Sequence, residues 1–113
     1  FSIFICSCIA DYADAENYLS LFYSKNYSPN GPNYTHFTNE EFDVLYEESI
    51  RIPDLENRIP LYEKMDSIVI NQAAIIPLYY DNVMRFSQSN VKGLGSNAMN
   101  LLDLKRVVLM NND

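Results

Sequence analysis

Tryptophan is absent from the 113 residues, histidine occurs once, cysteine twice and glycine three times. Each shortage removes a class of function. A single imidazole, His36, cannot build a histidine-rich metal centre, and beside a helix start it reads as a solvated loop residue rather than a general base. Cys6 and Cys8 are spaced two apart, closer than the C-x₂-C of thiolate zinc sites, and His36 can only partly supply the further ligands such a site needs. A disulfide between near neighbours on one strand is strained, so both are expected to be buried free thiols. G-x-S-x-G, G-x-x-x-x-G-K-S/T, H-E-x-x-H and C-x-x-C are all missing, which disfavours an enzyme. Basic residues are scarce as well: 8 Lys and Arg against 15 Asp and Glu leave a net charge of −7, the wrong sign for a nucleic-acid partner. No apolar run approaches the ~20 residues of a membrane-spanning helix.

What is present is apolar enough to fold. Hydrophobic residues make up 48% of the chain, so composition argues against disorder, and the length suits one small core. Residues 1–10 (FSIFICSCIA) are apolar on both alternate faces, the pattern of a strand buried on two sides in the middle of a sheet. So few other elements can cover such a strand that a longer parent protein is expected, and the absence of an initiator Met agrees. Asp14 is placed to cap a short helix through Ala15, Tyr18, Leu19 and Phe22, and the turn formers of residues 24–33 (SKNYSPNGPN) follow as a loop. Thr38 and Glu41 then form a capping box, with Phe37 stapled to Phe42, opening a helix over residues 39–50 that buries Phe42, Leu45, Tyr46 and Ile50. Asp54 caps a helix over residues 55–72 with a broad apolar arc, in which Pro60 predicts a kink or a late start. Residues 75–80, 83–86 and 105–110 read as strands, and Gly93-Leu94-Gly95 as a turn.

Asp11, Asp14 and Glu16 form an acidic group at D-x-x-D-x-E spacing that lacks the Gly and distal Glu of a calcium loop. Asp14 and Glu16 serve a helix start. Asp11 differs, because it ends the apolar strand at the strand-to-helix turn, where open α/β sheets collect ligands, and a carboxylate there suits an ammonium group. The sequons at Asn26 and Asn33 read as chance matches.

The run Ile9-Ala10-Asp11-Tyr12-Ala13-Asp14-Ala15-Glu16-Asn17-Tyr18-Leu19 resembles the "ADYPDPENFL" segment of extracellular solute-binding proteins of the peptide/nickel family of ABC importers. Phe22-Tyr23-Ser24, Asn39-Glu40-Glu41-Phe42-Asp43, Arg58 with Leu61-Tyr62, Ile75-Ile76-Pro77-Leu78-Tyr79-Tyr80 and Val91-Lys92-Gly93-Leu94 follow in the family's order and at about its spacing. The chain departs from that pattern at Cys8, where the family usually has Trp, at Ala15 in place of Pro, and at Asp81 in place of a third aromatic.

The resemblance implies an α/β fold: part of a type II periplasmic-binding-protein lobe, with a mixed sheet and about three helices, from the C-terminal part of a longer protein. Residues 1–80 would belong to the second lobe and residues 81–113 would return toward the first. It further implies a non-enzymatic solute carrier that binds peptides or similar solutes without a cofactor. Asp11 would pair with the ligand's α-ammonium, and the backbone of Cys8 and Ile9 would align with the peptide main chain. The implied partners are the membrane subunits of an ABC transporter, and the implied location is periplasmic or extracytoplasmic, with a lipid anchor in the preceding sequence. Alone, the chain is expected to self-associate through apolar surface. The alternatives are a carrier of nickel, haem or sugar on the same fold, and a structural piece that binds nothing.

Overall fold

The computed structural model describes residues 3–80, 82–97 and 100–111. The chain divides into two compact units, Phe1–Pro77 and Leu78–Asp113. The first is helical: α1 (Glu16–Leu19) runs into a 3₁₀ turn (Ser20–Phe22), a second 3₁₀ turn (Ser24–Asn26) opens the polar loop, and α2 (Glu40–Ser49) and α3 (Leu55–Asn71) follow. The second carries β1 (Val91–Lys92) and β2 (Val108–Leu109), paired antiparallel with Val91 opposite Leu109. The fold is therefore mixed α/β, with an antiparallel ribbon where a mixed sheet was expected.

Local chemistry sets the helix ends. Asn39, in extended conformation, accepts the Phe42 N–H at 2.8 Å and so caps α2, one residue later than the expected Thr38. Glu40, Glu41 and Asp43 in the first turn complement the helix dipole. The Phe37 and Phe42 rings still meet edge-on with centroids 5.7 Å apart, although with Asn39 as the cap they no longer occupy the staple positions. Asp54 caps α3 by accepting the Glu56 N–H, and the helix starts at Leu55 and runs through Pro60 without a late start. Pro60 is the sixth residue of α3, past the first turn, so the helix forgoes the hydrogen bond that residue 60 would otherwise donate to the Glu56 carbonyl.

One aromatic-rich core holds the first unit together. Phe42 and Met65 are fully buried, and Leu19, Phe22, Phe37, Tyr46, Tyr62 and Val69 close around them. Tyr62, Met65 and Val69 make the buried stripe of α3, with Leu61 and Ile68 only half-buried at its edge, so the inward face is narrower than its apolar content suggests. On α2 the third buried position is Ser49, whose hydroxyl donates to the Tyr46 carbonyl, while Ile50 lies past the helix end and is exposed.

The loop of residues 24–33 is pinned from within by Asn33, which is fully buried. Its Nδ2 donates to the Tyr23 and Phe37 carbonyls, and its Oδ1 accepts from the Phe37 N–H. A side chain committed in this way is closed to glycosylation. A β-carbon at Gly31 would sit 2.4 Å from the Asn26 carbonyl oxygen, so the loop needs glycine there. In the second unit Gly93 holds φ +78° and packs against the Arg106 carbonyl where the ribbon begins.

Three of the expected strands do not form. Residues 3–10, 75–80 and 83–86 are in no ladder, and the strand expected over 105–110 shrinks to Val108–Leu109. The first two residues of the N-terminal strand, and Asp81, fall outside the described residues. The physical reason is shared: a strand exists only as a ladder, and among the described residues no segment pairs with these. Their side chains are left bare, with Ile3, Ile5 and Ile9 each more than four-fifths exposed.

Candidate ligand-binding segment

The chain leaves the bare segment of residues 3–9 through a turn that side chains hold on both sides. Asn17 on α1 clasps it: its Oδ1 accepts the Asp11 N–H at 3.2 Å and its Nδ2 donates to the Tyr12 carbonyl at 3.3 Å. The Asp14 N–H closes the turn onto the Tyr12 carbonyl. Asp11 is thus fixed at its backbone while its side chain is exposed. Among the described residues its carboxylate accepts no hydrogen bond and joins no ion pair.

Asp14, three residues on, has the opposite surroundings. Its Oδ1 accepts the Glu16 N–H at 3.0 Å and the Tyr62 hydroxyl at 2.9 Å, and its Oδ2 lies 2.7 Å from Arg58 Nη1. Arg58 also donates to the Tyr62 hydroxyl at 3.0 Å, closing a triangle between the start of α1 and one face of α3. Burial alone would raise the Asp14 pKa, but the hydrogen bonds and the guanidinium outweigh it and hold the carboxyl below its ordinary value. Burial and the same carboxylate push the Tyr62 hydroxyl up to about 12. The expected helix-start role of Asp14 is present, and a long-range ion pair is added to it.

Glu16 completes the anchoring by accepting from the hydroxyls of Tyr12 and Tyr46. Burial and then the Glu16 contact raise the Tyr46 pKa. The turn that presents Asp11 is therefore tied to both long helices.

Cys8 and Ile9 precede Asp11 in the same segment and are exposed. Cys6 and Cys8 are free thiols, but exposed rather than buried, with sulfurs 3.3 Å apart. Their burial was expected from the usual burial of cysteine, and without a ladder among the described residues the segment has no cover. A groove of about 370 Å³ on the first unit is lined by Glu41, Pro60, Glu63, Lys64, Ser67 and Ile68, and includes none of the expected site residues. His36 is exposed, stacked on the Tyr27 ring with its Nε2 3.1 Å from the Ser28 hydroxyl. The Asn33 plug and the Asp14–Arg58–Tyr62 triangle escaped the sequence reading. For the triangle a signal existed, since Arg58 and Tyr62 share one helix face four residues apart.

Comparison with known proteins bears on what this segment is. No family model matches the chain. Individual proteins do: a dipeptide-binding protein of Bacillus subtilis is 31% identical over 99 residues, 88% of this chain, and an oligopeptide-binding protein of the same organism is 31% identical over 76% of it. Heme-binding protein A of Haemophilus influenzae is 35% identical over 74%. Most of the chain's length is thus similar to proteins named for dipeptide, oligopeptide or heme binding. The matched stretches are 18%, 15% and 15% of those three relatives, so the chain spans less than a fifth of the length of each. Within this segment the exposed Asp11 and the anchored Asp14 lie three residues apart in contrasting surroundings.

Proposed function

We propose that this chain is the C-terminal part of a substrate-binding component of an ABC importer and supplies one wall of a cleft that closes on a peptide. Residues 1–80 then belong to the second lobe, of type II architecture, and residues 81–113 return toward the first. The observation that carries the reading is the pairing of an unpartnered Asp11 carboxylate with a preceding segment whose backbone donors and acceptors are open. Such a segment can take an extended peptide as an additional strand through Cys8 and Ile9, and a carboxylate at its end can hold the peptide's α-ammonium. The relatives named for dipeptide and oligopeptide binding support it. The reading places the protein outside the cytoplasm, lipid-anchored through preceding sequence and serving membrane subunits of the transporter, with no catalytic step. The apolar residues of 3–9 would be covered by the rest of the protein, and in the isolated chain by self-association.

Calorimetric titration of the intact protein with trialanine and with N-acetyl-trialanine tests the reading. The free peptide should bind more tightly by about 2–4 kcal/mol, because acetylation removes the charge opposite Asp11. Equal binding of the two would move the ligand to another class. The 35% identity to heme-binding protein A supports haem as the second reading.

A further inference from the structure

We propose that Cys6 and Cys8 form a two-thiolate chelating site for a soft, low-coordinate cation, Cu(I) being its biological member. Both thiols are free and exposed, and their sulfurs lie 3.3 Å apart. Side chains two apart on an extended chain point the same way, so the pair faces a common approach without any rearrangement of the fold. Metal–sulfur bonds of roughly 2.3 Å at a tetrahedral or wider angle need the sulfurs roughly 3.8 to 4.6 Å apart. A modest rotamer change at two exposed residues supplies the difference.

The choice of ion follows from what else is present. Among the described residues no group of three or more His, Cys, Asp and Glu side chains is placed to hold a metal. Zinc in a structural site asks for four such ligands, whereas thiolates select soft Cu(I). Redox cycling of the pair is the weaker use of the same sulfurs. Residues two apart on an extended strand are separated by roughly 6.6 Å at their Cα atoms, the far edge of what a disulfide spans. A cation displaces the thiol protons on binding. The site needs neither Asp11 nor a bound peptide, but it shares Cys8 with the segment proposed above to line the cleft, so a bound peptide and a bound cation would compete there.

The test is anaerobic competition for Cu(I) between the full chain and bicinchoninate, followed by loss of the coloured chelator complex, with free thiols counted before and after. The expected result is one copper per chain and loss of both free thiols. Cys6→Ser and Cys8→Ser should each weaken binding by roughly 100-fold, the gain expected when a second ligand is tethered beside the first. His36→Ala should leave copper affinity unchanged. One copper shared by two chains, full affinity in either serine variant, or dependence on His36 would overturn the assignment.

Discussion

Residues 3–11 and the helices that follow Asp14 are both apolar in sequence, and only the helices are buried. The helices carry their own partners: Phe42 meets Phe22 and Phe37, and α3 turns Tyr62, Met65 and Val69 onto the same cluster. The N-terminal segment is apolar too but has no ladder neighbour among the described residues. The same contrast separates two carboxylates of one turn. Asp14 is spent on Arg58, Tyr62 and a helix start, and Asp11 is spent on nothing within the described chain.

Breaking the buried side of the comparison should have the largest effect. Phe42→Ala removes a fully buried ring from the centre of the cluster and should cost about 3–5 kcal/mol in denaturant unfolding. Asp14→Ala should cost about 2–3 kcal/mol, since it removes charge-assisted hydrogen bonds to a partner that is only 18% exposed.

That contribution has a definite pH dependence. The folded Asp14 pKa lies below its ordinary 3.8, so its stabilisation is complete above that value and fades as pH falls through the folded pKa. The stability gap between wild type and Asp14→Asn should therefore be constant near neutrality and narrow in acid. A gap that widens in acid would contradict the ion pair. Asn39→Ala, which deletes the α2 cap, should cost about 1 kcal/mol by the same unfolding assay. On the bare side, Ile5→Ser should change chain stability by less than about 0.5 kcal/mol, because Ile5 is 86% exposed. A large loss there would mean that the segment is packed in solution.

The helical half was legible because its signals are local. Capping residues, a staple and a stripe repeating at three and four positions act within a few residues, so α2 and α3 were placed to within a residue or two. Thr38 and Asn39 can both cap, and the geometry that brings Asn39 to the Phe42 N–H decided between them. The strands were not legible, because an apolar run says that burial is wanted and cannot say which segment provides it. Asn33 was missed for a related reason. Its pattern reads as a turn former, and only the closure of the chain between Tyr23 and Phe37 turns its amide inward. Asp11 was picked out as a carboxylate at a strand-to-helix turn, and the structure fixes its backbone through Asn17.

The most direct test of the role given to Asp11 is the affinity of the intact protein for trialanine before and after Asp11→Asn, measured by calorimetry beside an unfolding curve for each. The account predicts a fall of about 2–4 kcal/mol in binding, more than tenfold in affinity, with the unfolding midpoint unchanged. An Asp11→Asn protein that binds trialanine as tightly as the wild type would contradict it.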